Sequence, residues 1–148
     1  MSVPLQGKFV SASDLCIDSQ THTARYSAAG HPPLLHWCAR ESILTRIESN
    51  GLLFGVPSTS QCKKCAFPAR EISVVAGDRF LLYTDGLTEP ENSVGEAFGD
   101  HKLEQILRDN PALPAAQLSL LVLSGVRAWQ PASMCQQDDI TFLIIDVL

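Results

Sequence analysis

Two acidic motifs carry the chemistry that this sequence could perform. Asp85 stands in Tyr-Thr-Asp-Gly (83–86), and Asp138 and Asp139 stand together in Gln-Asp-Asp-Ile-Thr (137–141). Carboxylates held close together resist joint ionisation, and a cation bound through their oxygens is the simplest relief. Hard oxygen ligands suit Mg²⁺ or Mn²⁺ rather than zinc or copper. Gly86 permits a sharp chain reversal and a close approach to the main chain. Pattern alone leaves a plainer reading open: Asp-Gly as an ordinary turn, and Asp-Asp as a solvated cap before a strand.

For the motifs to meet, the chain between them must return to the same place. Arg79–Thr84 (RFLLYT) and Ile140–Leu148 (ITFLIIDVL) are continuously apolar and read as central strands of a sheet. Asp85 leaves the first at its C-terminal end, and Asp138 and Asp139 enter the second at its N-terminal end. If the two strands are antiparallel neighbours, all three carboxylates share one rim. Further strands are expected over 9–17, 23–29, 34–37 and 70–75, with a loop over 48–66 rich in Gly and polar residues. A helix with Asp100 as its N-cap should run to about Pro111, and a second should open at Pro114 with a stripe of Leu118, Leu121, Val122 and Val126. The order is strands, two helices, final strand: an α+β arrangement with mostly antiparallel pairing.

Composition narrows the partners. The 148 residues are 45% hydrophobic and 18% charged, as in an ordinary globular chain, with a net charge of −5. Without a basic stripe, nucleic acid is not expected as a partner. No run reaches the ~18 apolar residues of a membrane span, and the N-terminus lacks a signal segment. Five cysteines without a secretory signal read as reduced thiols in a cytoplasmic protein.

Taken together, LLYTDGLTEPEN (81–92), GEAFG (95–99), QDDITFLIIDV (137–147) and AGHPPLL (29–35) resemble the SpoIIE/RsbU-type branch of metal-dependent serine/threonine protein phosphatases, in family order from about Phe9 to the C-terminus. The resemblance implies an αββα sandwich with two Mn²⁺ or Mg²⁺ ions. It implies hydrolysis of phosphoserine or phosphothreonine on a partner protein, of which anti-sigma-factor antagonists are the usual kind. It assigns metal binding to Asp85 and Asp138, with Gly86 beside them and Asp139 orienting a water. Two ions would acidify an attacking water and neutralise the phosphoryl oxygens, with no covalent intermediate.

Family members also carry an earlier Gly-Asp motif whose carboxylate bridges both ions. Gly77-Asp78 and Gly99-Asp100 are the Gly-Asp pairs here, the first in a hairpin turn and the second at a helix start. Residues 1–148 are therefore expected to be a single partial phosphatase domain, its C-terminal portion, weak or inactive alone and prone to self-association through an exposed sheet edge. The alternative is a noncatalytic binding or regulatory module derived from the same fold.

Smaller signals remain. Cys62 and Cys65 have metal-knuckle spacing, and His36 and Cys38 could complete a zinc site. His31 in AGHPP is either a substrate-binding residue facing phosphate or a hydrogen-bonded turn histidine. Arg70 and Arg79 could steer a phosphoprotein or be merely solvated, and Glu89 and Glu91 could border the site or simply solvate their loop.

Overall fold

The computed structural model describes residues 9–48, 51–55, 67–131 and 138–148. The chain divides into two compact units, one of residues 1–33 and 48–74, the other of 34–47 and 75–148.

In the first unit, β1 (Ala12–Asp18) pairs antiparallel with β2 (Thr23–Ala29), which pairs antiparallel with β5 (Arg70–Ser73). The turn between β1 and β2 is held by the Asp18 carboxylate, which accepts the amides of Gln20 (2.8 Å) and Thr21 (3.2 Å). These bonds favour its charged form and pull its pKa below the usual range. Alternation along β2 buries Ala24, Tyr26 and Ala28 and exposes Arg25.

In the second unit, β3 (Leu34–Cys38), β4 (Ile43–Ile47), β6 (Arg79–Tyr83) and β7 (Phe142–Asp146) form one antiparallel sheet in the order β4-β3-β6-β7. Two helices, α1 (Gly99–Asp109) and α2 (Ala115–Trp129), precede the last strand. Leu35, Leu81 and Tyr83 point from the sheet into a core completed by Leu103 and Leu107 of α1 and Leu118, Val122 and Val126 of α2. The four-residue spacing along each helix turns one stripe toward the sheet.

A part-buried ion pair ties this sheet to the helices. Arg79 is 5% exposed; its Nε donates to Asp146 Oδ1, and its guanidinium also reaches the carbonyls of Asn110 and Leu113. Asp146 Oδ2 accepts the Ala115 amide at 3.0 Å, at the start of α2. Arg79 first, with the Ala115 amide, holds the Asp146 carboxyl below its usual pKa against the opposing effect of burial. Arg79 is thus neither solvated nor available to steer a substrate.

The antiparallel α+β order agrees with the sequence reading, with three corrections. β7 is the edge of its sheet among the described residues, not a central strand, and Leu143 is 56% exposed. Its apolar run reflects helix packing on one face rather than neighbours on both sides. β4, absent from the sequence reading, pairs with β3. Asp100 does not cap α1: the cap position is Phe98, and Asp100 accepts hydrogen bonds from Tyr83 Oη (2.9 Å) and Arg46 (2.9 Å).

Candidate metal centre

The pairing of β6 with β7 builds the site. Their register runs from Arg79↔Asp146 to Tyr83↔Phe142, so the chain leaves β6 on the rim where it enters β7. Beyond Tyr83 the backbone tightens into a single 3-10 turn, Asp85–Leu87. Its opening bond runs from the Leu87 amide to the Thr84 carbonyl (3.0 Å), and the Thr88 and Glu89 amides follow onto the Asp85 carbonyl at 2.8 and 2.9 Å. That winding carries Glu89 back beside Asp85.

Carboxylate oxygens of Asp85, Glu89 and Asp138 all lie within 4.8 Å of one another, on side chains open to solvent. Asp85 Oδ1 also accepts the Gly86 amide (3.1 Å), and Asp138 Oδ1 accepts the Asp139 amide (2.7 Å), which orients both carboxylates. Gly86 is buried against the opposite segment: a Cβ built there would lie 2.4 Å from the Asp139 carbonyl oxygen and 3.0 Å from its carbon. Only a residue without a side chain allows this approach.

The donor set tests what the site could hold. Three carboxylates offer hard oxygen ligands with no nitrogen or sulfur among them, which fits a divalent Mg²⁺ or Mn²⁺ ion and not a zinc or copper centre.

Of the residues expected here, Asp85 and Asp138 come together, with Gly86 packed between their segments. Asp139 contributes its backbone to the junction, and its carboxylate is not part of the cluster. Glu89 joins the cluster, whereas the sequence alone left it either bordering the site or solvating its loop. Its separation of four residues from Asp85 was the available signal, since one helical turn puts such residues on one side. His31 belongs to the first unit, where its Nδ1 lies 3.3 Å from Ser11 Oγ.

The zinc reading loses His36: the ring is buried, stacks on Phe80 at 4.6 Å, and places Nε2 3.2 Å from Asp78 Oδ2. Asp78, 1% exposed, also accepts the amides of Ala39 and Val75 and is a structural turn residue. Cys62 and Cys65 lie outside the described residues.

The antiparallel α+β arrangement, with two helices before the last strand, is the fold of PP2C-type phosphatase domains. The chain belongs to the SpoIIE family: the model of Stage II sporulation protein E (SpoIIE) matches residues 3–148. It is 27% identical over 139 residues to phosphoserine phosphatase RsbP of Bacillus subtilis, covering 94% of this chain and 31% of that protein. Its fold matches the SiaA-PP2C domain of Pseudomonas aeruginosa (TM-score 0.78, 19% identity, 94% of this chain and 52% of that one). It also matches the manganese-presoaked phosphatase domain of SpoIIE from Bacillus subtilis (TM-score 0.67, 15% identity, 93% and 56%). The chain therefore spans about a third of RsbP and about half of each solved domain. Among the described residues, no helix is long and apolar enough to cross a membrane.

Proposed function

We propose that this chain is a phosphoprotein phosphatase domain of the SpoIIE type, holding Mn²⁺ or Mg²⁺ through Asp85, Glu89 and Asp138. The observation that carries the reading is the convergence of these three carboxylates within 4.8 Å in a chain of this family. An ion bound there would supply positive charge to the phosphoryl oxygens and acidify an attacking water. The chain's own residues position it: Asp85 and Glu89 from one turn, Asp138 from the segment before β7, with Gly86 leaving room for the two to close. The open rim suits a phosphate borne on another protein rather than a small molecule needing enclosure.

RsbP's description as a phosphoserine phosphatase supports phosphoserine as the substrate group. The resemblance to SpoIIE/RsbU-type phosphatases points to a bacterial regulatory protein of the anti-sigma-factor-antagonist kind as its bearer. The thiols of Cys16 and Cys38 are free, as suits a cytoplasmic protein. Among the described residues the cluster offers three carboxylates, enough for one ion, whereas the two-ion centre implied by the family needs more donors. The isolated chain should therefore bind metal but turn over slowly.

Calorimetry with MnCl₂, paired with phosphate release from a phosphoserine peptide, tests this. Wild type should bind Mn²⁺ and release phosphate slowly in its presence, and Asp85→Asn and Asp138→Asn should abolish both. Absence of Mn²⁺ binding by the folded wild type would sink the proposal. Binding with no turnover at all would favour the noncatalytic module.

A further inference from the structure

We infer that Thr84 is a positioning residue for the metal centre, its hydroxyl setting the spacing between the two ligand-bearing segments. The inference rests on the metal-binding reading above. The ladder between β6 and β7 ends at Tyr83↔Phe142, and the next pair is Thr84 with Thr141. The Thr84 amide donates to the Thr141 carbonyl at 2.9 Å, as a ladder continuing from that register requires. The return bond is different. The Thr84 carbonyl is already used by the Leu87 amide (3.0 Å), which opens the turn carrying Asp85 and Glu89. The Thr141 amide donates instead to Thr84 Oγ1 at 3.1 Å.

A side-chain oxygen thus replaces the main-chain acceptor, and the backbone can leave the strand one residue before Asp85 without stranding a donor. The single hydroxyl proton is shared between the carbonyls of Asp139 (3.3 Å) and Thr141 (3.2 Å), residues flanking the entry to β7. Thr84 and Asp139 are 55 residues apart in sequence, and each is adjacent to a ligand, Asp85 and Asp138. Within this junction Gly86 supplies the close approach and Thr84 the hydrogen bonds that fix it. Groups that orient metal ligands typically change affinity about ten- to a hundredfold when removed.

The test uses the 148-residue chain and Mn²⁺ alone. Thr84→Val keeps the shape and removes both hydrogen-bonding roles; Thr84→Ser keeps the hydroxyl. Thr45→Val is the control, because Thr45 Oγ1 likewise donates to a main-chain carbonyl, that of His36 at 3.1 Å, in the β3–β4 pair. Calorimetry should show Mn²⁺ affinity about ten- to a hundredfold weaker in Thr84→Val. Thr84→Ser and Thr45→Val should stay within about threefold of wild type.

Equal affinity in Thr84→Val and wild type would overturn the inference while leaving the metal reading intact. Absence of binding in wild type would overturn the metal reading itself, and this inference with it. Should Thr84→Val not fold, hydrogen exchange on wild type decides. Mn²⁺ must slow exchange of the Thr141 amide, which donates to the Thr84 hydroxyl, and an unchanged rate there would overturn the assignment.

Discussion

Replacing Gly86 with alanine is the sharpest perturbation of the carboxylate cluster, because it adds one methyl group and no charge. Gly86 is not among the positive-φ glycines, so alanine meets no conformational penalty. The conflict is purely one of space. The new Cβ would lie 2.4 Å from the Asp139 carbonyl oxygen. Non-bonded atoms settle near ~3.5 Å, so the two segments must separate by about 1 Å.

Overpacking of a rigid core costs about 1–3 kcal/mol. Asp138 and Asp139 are exposed and can give way, which places this variant near ~1 kcal/mol, a melting shift of roughly 2–4 °C. The larger effect falls on metal binding. Coordination tolerates errors of only about 0.2 Å, so a shift of about 1 Å removes Asp138 from the ligand set. A tenfold loss of affinity, about 1.4 kcal/mol, is the least expected. Mn²⁺ titration calorimetry with thermal unfolding separates the two effects. A folded Gly86→Ala whose Mn²⁺ affinity stays within twofold of wild type would refute the close-approach argument.

Other substitutions probe the rest of the domain. Glu89→Gln should weaken Mn²⁺ binding by about tenfold, whereas Glu91→Gln, outside the cluster, should leave it unchanged; equal effects in calorimetry would remove Glu89 from the ligand set. Asp146→Asn should lower stability at neutral pH by about 3 kcal/mol, read by urea unfolding, because it leaves the buried Arg79 guanidinium without its carboxylate. Asp146 titrates lower in the folded chain than in the unfolded one. Its contribution is therefore whole above the unfolded value of about 3.9 and is lost as pH falls through the folded value. Wild type should lose its advantage over Asp146→Asn across that acid range, and a gap that persists at the lowest pH would contradict the assignment.

The meeting of Asp85 with Asp138 was legible only conditionally: if the two apolar strands pair antiparallel, one strand's exit lies beside the other's entry, and the β6–β7 register meets that condition. Glu89 had only its four-residue spacing from Asp85 to mark it, because the turn that brings it back is too short to leave a periodic pattern. The edge position of β7 was also beyond reach. A strand packed on helices over one face, and bordered by a neighbour on one side, reads as apolar as a central strand does. Arg79 misled for a related reason. A charged residue at a strand start is usually solvated, and only the tertiary arrangement brings Asp146 and two helix-connection carbonyls to it. Asp100 had the right residue type for a cap, but Tyr83 and Arg46 claim its carboxylate.

The cluster draws on both β6 and β7, and this gives β7 a second significance. Asp85 and Glu89 share one turn and can be present together in a partly ordered chain, but Asp138 arrives only when the last strand docks. Until then the half-formed site has two carboxylates and a correspondingly poor hold on any ion. Capture of a metal through all three carboxylates, as proposed above, would therefore require β7 to be docked. Retention would act as a latch, because an ion spanning the junction opposes by its own binding free energy any fraying that peels β7 from β6. Chelation should then loosen the edge strand before the core beneath α1 and α2 responds.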